Sequence, residues 1–165
     1  TWNPMADESR PLKVLIICSG NICRSAMAEV VARKLFEEKG IRGVQVDSGG
    51  TLGIVNEPPA PFAVEAVSEI GCDLSRHRSK ALNASQLDEA DYLLVMAPEH
   101  AREVTLRRPA YGDKIVRLWK YTRPRRRLSR IFDPIGLPYE DFVACRDDII
   151  ECLRNWISEL VDSRR

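Results

Sequence analysis

Residues Ile17 to Glu29, ICSGNICRSAMAE, set two cysteines and an arginine around a glycine directly after an apolar run. Their types and spacing suit phosphorus chemistry. Cys18 and Arg24 bracket Ser19 to Cys23, a loop short enough for successive backbone N–H groups to converge on one anion at a helix N-terminus. Gly20 and Asn21 are residue types that tolerate the positive φ angles such a loop needs, and the planar fork of Arg24 can grip two phosphate oxygens. Cys18 stands at the loop's entrance, where a helix dipole and an arginine favour its thiolate, the nucleophilic form. A cysteine ending a buried strand is most often a small core residue. A nucleophile, a nest and a cation at one spot, followed by Ser25, outweigh that simpler assignment.

The elements that must position this loop follow from the pattern of apolar residues. Leu12 to Cys18 is a short β-branched run closed by Ser19-Gly20-Asn21, which predicts a buried strand. Met27, Val30, Val31 and Leu35 recur at helical spacing and predict a helix from Arg24 or Ser25 to Gly40. Val44 to Asp47 reads as a second strand, Ser48 to Pro61 as a Gly- and Pro-rich loop, and Phe62 to Ile70 as a helix ended by Gly71. Tyr92 to Met96 and Lys114 to Leu118 read as further strands, with a helix over Glu99 to Arg107 between them. Phe142, Cys145, Ile149, Cys152 and Trp156 share one face of a long final helix. This alternation predicts an α/β fold, a single doubly wound domain with a four-stranded parallel sheet flanked by helices. In such a sheet the ligand site lies beyond the carboxyl ends of the strands, where the loop after Cys18 falls.

Composition narrows the function classes. The 165 residues are enough for one domain, expected over 11–165 behind a tail at 1–10 whose Thr1 to Pro4, ahead of Met5, reads as an appended segment. With 25 Lys plus Arg against 24 Asp plus Glu, no global field draws nucleic acid or an anionic membrane. The apolar runs are too short for membrane insertion. Five cysteines, without C-x-x-C or H-x-x-x-H spacing, predict neither a secreted disulfide framework nor a zinc site, and point to a reducing cytoplasmic setting.

The segment CSGNICRSAMAE resembles the signature of the low-molecular-weight protein tyrosine phosphatases, and the resemblance runs along the chain from about Pro11. DSGG at 47–50, HRSKAL at 77–82, DYLLVM at 91–96 and DP at 133–134 follow in the family's order. The resemblance implies that Cys18 attacks phosphorus, that Arg24 and the amides of Ser19, Gly20, Asn21, Ile22 and Cys23 bind the phosphate, and that Asp133 serves as general acid and then base. No metal or other cofactor is implied. Asn21, Ser48 and His77 match positions that hold the loop in shape, and Ser25, otherwise a plain N-cap, matches one that supports the thiolate. It further implies a reversible Cys18–Cys23 disulfide as a redox guard, against the simpler assignment of Cys23 as a thiol packed beneath the loop. His100 is expected to be a solvated helix residue, and Cys145 and Cys152, two turns apart, to be core.

A monomeric enzyme acting on phosphoproteins is therefore expected, with a pocket formed by Ile22, Leu52, Ile54 and Ile135. Ile22 matches tyrosine-directed members, whereas Ile135-Gly136 after Asp133-Pro134, with Tyr139 and Arg146-Asp147 downstream, is similar to the protein-arginine phosphatase branch. Phosphotyrosine is the first expectation and phosphoarginine the alternative. A thioredoxin-coupled arsenate reductase needs two relay cysteines on a mobile segment, which an amphipathic helix carrying Cys145 and Cys152 does not provide. A phosphoprotein-binding module without turnover has no use for Cys18, Arg24 and Asp133 together. Arg123, Arg125, Arg126, Arg127 and Arg130 crowd the segment before Asp133, a solvated basic loop by default and an acidic-substrate rim if it borders the site.

Overall fold

The computed structural model describes residues 10–163, so the expected tail lies outside the described residues except for Arg10. Strand β1 (Leu12–Cys18) is buried along almost its whole length, as a central parallel strand covered on both faces must be. It lies between β2 (Val44–Gly50) and β3 (Tyr92–Val95), and β4 (Ile115–Arg117) pairs with β3, giving the order β2-β1-β3-β4 with every pair parallel. The chain steps from β1 to one side for β2 and to the other for β3. With right-handed crossovers, that reversal places α1 (Arg24–Glu38) and α4 (Pro98–Arg107) on opposite faces and opens a crevice at the end of β1. Helix α5 (Tyr139–Asp162) packs on α1, with α2 (Pro61–Ser68) against both, while α3 (Ala84–Glu89) lies on β1. The core joins the two layers through Trp156, which meets Phe36 and Tyr92 edge to face at centroid distances of 6.2 and 5.5 Å.

Two differences from the sequence-based expectation matter for the site. Strand β2 runs on through Ser48, Gly49 and Gly50, paired with Ile16, Ile17 and Cys18, where a loop was expected. The glycines that read as loop formers serve close approach instead. A Cβ on Gly50 would lie 2.6 Å from the Ser19 carbonyl oxygen, and one on Gly49 would lie 2.7 Å from Leu82 Cδ2. Helix α3 was not expected at all, because its six residues carry a single buried apolar side chain, Leu87, and show no periodicity. The legible signal was its capping box, in which Asn83 and Gln86 exchange side-chain-to-backbone hydrogen bonds.

Candidate active site

Cys18 ends β1, and α1 begins at Arg24, so the five residues between them must reverse the chain within one tight loop. Asn21 makes the reversal possible with φ 58°, in the left-handed region. Gly20 stays outside the positive-φ residues, contrary to expectation, because the turn falls entirely on Asn21. Neighbouring backbone clasps the loop from outside: Thr51 N–H donates to the Cys18 carbonyl at 3.0 Å, Leu52 to Ser19 at 3.0 Å and Ala60 to Ile22 at 2.9 Å. At the start of α1, Cys23 forms no side-chain cap hydrogen bond and the first turn holds no acidic residue. The positive end of the helix dipole therefore faces the loop without compensation from its own side chains.

Side chains beneath the loop form one connected chain of hydrogen bonds. Glu29, buried on α1, accepts from the Ser48 hydroxyl at 3.0 Å and pairs with Arg33 at 3.0 Å. Because Ser48 donates to that carboxylate, its oxygen is free to accept one N–H of the Asn21 amide at 2.9 Å. The other Asn21 N–H goes to Ser25 Oγ at 2.8 Å, which leaves the Ser25 hydroxyl proton for Cys18 Sγ, 2.9 Å away. Asn21 N–H also donates to that sulfur at 3.3 Å. On the far side, the Asn21 side-chain oxygen accepts from Lys80 N–H at 3.0 Å and its carbonyl accepts from His77 Nε2–H at 2.7 Å. The polarity of this hydrogen-bond chain, set by the Glu29 carboxylate, points two donors, the Ser25 hydroxyl and the Asn21 N–H, at Cys18 Sγ. Glu29 was not singled out from the sequence, where it reads as an ordinary charged helix residue. Two residues after the core residue Met27 it falls on a different face of the helix, so helical periodicity carries no signal for it.

Arg24 is buried, donates to the Ile131 carbonyl at 3.1 Å and lies 3.5 Å from Asp133 Oδ2. Asp133 is half exposed and accepts from Ile135 N–H at 3.2 Å through its other oxygen. Arg24 and Asp133 both line a pocket of about 210 Å³, together with the rest of the loop from Cys18 to Cys23, Leu52, Ile54 and Ile135, so that Ile22 lies in the same lining. Burial, reinforced by Cys145, Asp133 and Cys18, raises the pKa of the Cys23 thiol and keeps it protonated. Cys145 and Cys152 are buried on α5. Among the five arginines before Asp133, Arg123 pairs with Glu151, Arg126 with Asp148 and Arg130 with Glu99, leaving Arg125 and Arg127 without a partner among the described residues.

His100 is not the solvated residue expected. It is 1% exposed and its Nε2 exchanges a hydrogen bond with Ser19 Oγ at 2.9 Å. The helix begins at Pro98, which turns His100 inward on the same stripe as Ala101 and Val104.

A four-stranded parallel sheet with a Cys-x5-Arg loop at its switch point and an aspartate facing that loop defines a cysteine-dependent phosphatase. The model of the low molecular weight phosphotyrosine protein phosphatase family matches residues 13–165, and the chain belongs to this family. It is 30% identical over 154 residues to the protein-arginine-phosphatase of Bacillus subtilis, covering 93% of this chain and all of that one. It is 31% identical to the probable low molecular weight protein-tyrosine-phosphatase EpsP of Ralstonia nicotianae, over 90% and 92% of the two chains. Among solved structures, the low molecular weight protein tyrosine phosphatase from T. tengcongensis superposes with a TM-score of 0.82 at 30% identity, covering 90% of this chain and 99% of that one. A Cys-to-Ser variant of the YwlE arginine phosphatase with a phosphorylated active-site serine superposes with a TM-score of 0.84 at 30% identity, over 93% and 99%.

Proposed function

We propose that this protein, a phosphatase by family, hydrolyses phosphotyrosine in phosphoproteins through a cysteinyl-phosphate intermediate. The observation that carries the proposal is the convergence of Cys18, Arg24 and Asp133 on one pocket with apolar walls. In the first step Cys18 sulfur attacks phosphorus. The S–P bond forms as the P–O bond to the phenolic oxygen breaks, and Asp133 gives its proton to that oxygen. Arg24 and the loop amides hold the three equatorial oxygens, whose charge needs stabilising throughout the transfer. Asp133 then takes a proton from water as the water oxygen bonds to phosphorus and the S–P bond breaks, returning the thiolate and releasing phosphate. Every step is served by side chains and amides, so turnover is expected to survive a metal chelator.

Ile22, Leu52, Ile54 and Ile135 offer apolar contact to an aryl ring, and a floor at Cys18 favours a long phosphoresidue over phosphoserine. Phosphoarginine is the second reading, supported by the arginine phosphatase that matches 93% of this chain and by the absence of an aromatic pair after Pro134. Its guanidinium would find one carboxylate in the pocket lining, Asp133. The test is kcat/KM on matched phosphotyrosine and phosphoarginine peptides. Preference for phosphotyrosine, abolished by Cys18→Ser, supports the first reading; the reverse preference replaces it with the second.

A free nucleophilic thiol works in a reducing compartment, which suits the cytoplasm. Under peroxide, Cys18 would be oxidised to a sulfenic acid. The Cys23 thiol would then attack that sulfur, forming a disulfide and releasing water. Loss of activity in peroxide that dithiothreitol restores in the native protein, but not in a Cys23→Ser variant, is the expected result.

A further inference from the structure

The phosphate loop is held from two sides, and only one of them is explained by the roles assigned so far. On the β2 side, Asn21 is tied by Ser48, Lys80 and His77. On the α4 side, the Ser19 side chain has one hydrogen-bond partner among the described residues, His100. That histidine sits where an apolar residue would pack at less cost. It is buried, and its Nδ1 finds no hydrogen-bond partner among the described residues, an unmet polar atom that an apolar side chain would not leave. Burial, with Arg24 and Arg130 outweighing Glu99 and Asp133, lowers its pKa to about 4, so the ring facing Ser19 at neutral pH is uncharged. The same turn of α4 also holds the segment that carries Asp133. Glu99 accepts from Arg130 at 2.7 Å, while Ile131 N–H donates to the carbonyl of Met96, two residues before the helix, at 2.8 Å. Ile131 in turn accepts from Arg24.

We propose that His100 is a positioning residue for phosphate recognition. Through the Nε2–Ser19 hydrogen bond it fixes the first residue of the anion-binding loop and ties that loop, by one turn of α4, to the segment bearing Asp133. The proposal rests on the phosphate-site reading above. It assigns His100 no contact with substrate.

The test is calorimetric binding of inorganic phosphate to wild type and to Ser19→Ala, His100→Ala, the double variant, His100→Gln and His100→Asn, with kcat and KM on p-nitrophenyl phosphate and Tm measured alongside. Each alanine variant is expected to weaken phosphate binding about tenfold, and the double variant by about the same factor, because both remove one interaction. Glutamine, whose amide extends to the level of Nε2, should return binding to within about threefold of wild type; asparagine, whose amide ends at the level of Nδ1, should not. Additive losses, or equal behaviour of Gln and Asn, would overturn the proposal, as would a lower Tm with unchanged phosphate affinity. If His100→Ala does not fold, Ser19→Ala and the Gln and Asn variants decide the matter. Wild type that binds phosphate but turns over no phosphomonoester would sink the phosphatase reading while leaving this coupling to be read from binding. Wild type that binds no phosphate would overturn both.

Discussion

Asp133 and His100 sit close to the same guanidinium, and each makes a claim that a single substitution can check. As the proposed proton donor, Asp133 would matter most when the departing oxygen is a poor leaving group, since general-acid catalysis contributes roughly 10²–10⁴-fold where the leaving group needs a proton. Asp133→Ala should therefore lower kcat/KM, which reports the step that expels the leaving group, far more on phosphotyrosine peptide than on p-nitrophenyl phosphate, and equal losses on both would refute its role as an acid. His100 ties stability to pH. Its folded pKa of about 4 lies below the usual 6.5, so between these values the unfolded chain binds the proton more readily. Stability is then intact above pH 6.5 and falls as the pH drops toward 4. About 2 kcal/mol should disappear between pH 7 and pH 5 from this group, as a shift in the denaturant midpoint. His100→Gln should flatten that dependence, and an unchanged slope would place the acid sensitivity elsewhere.

At the scale of elements, Asn21 is the side chain of the loop with the most ties to its surroundings. Asn21 combines the left-handed φ with hydrogen bonds to Ser25, Ser48 and Lys80. Asn21→Gly keeps the backbone angle and loses the bonds, whereas Asn21→Ala loses both, with about 1 kcal/mol of added strain. Both should reduce kcat/KM by at least about tenfold, with alanine the worse, and a glycine variant of full activity would show that the bonds are dispensable. Gly50 tests the opposite face of the loop. A methyl group there meets the Ser19 carbonyl at 2.6 Å, so Gly50→Ala should weaken phosphate binding sharply even where the circular dichroism spectrum is native. Such contacts explain what was legible beforehand. Strand β1, helix α1 and the Cys18–Arg24 loop lie close together in sequence, so local pattern carried them. Glu29 on Ser48, His100 on Ser19 and Gly50 under the loop depend on elements brought together only by the sheet, and no local period announces them. Even α3 was written in its cap rather than in its apolar residues.

For the whole molecule, near-neutral net charge leaves recruitment of substrate to local fields. Three of the five arginines before Asp133 answer acidic residues of α4 and α5, so Arg125 and Arg127 are the two available to an acidic phosphoprotein. Replacing both with alanine should raise KM for acidic phosphopeptides at low ionic strength and leave it unchanged at about 0.5 M salt, where screening erases such attraction. An identical salt profile in the double variant would assign that stretch a purely structural role. The bare N-terminus of α1 bears on the stability of the entire chain. The helix packs on β1, β2, α2 and α5 yet starts without a capping side chain, so a bound tetrahedral oxyanion completes hydrogen bonding that the sequence leaves unfinished. Phosphate at about a hundred times its Kd would then add roughly 2.7 kcal/mol to folding stability, a rise in Tm of roughly 5–10 °C. The substrate's phosphoryl group thus acts briefly as a residue of the fold, and each product release returns the protein to its less stable form.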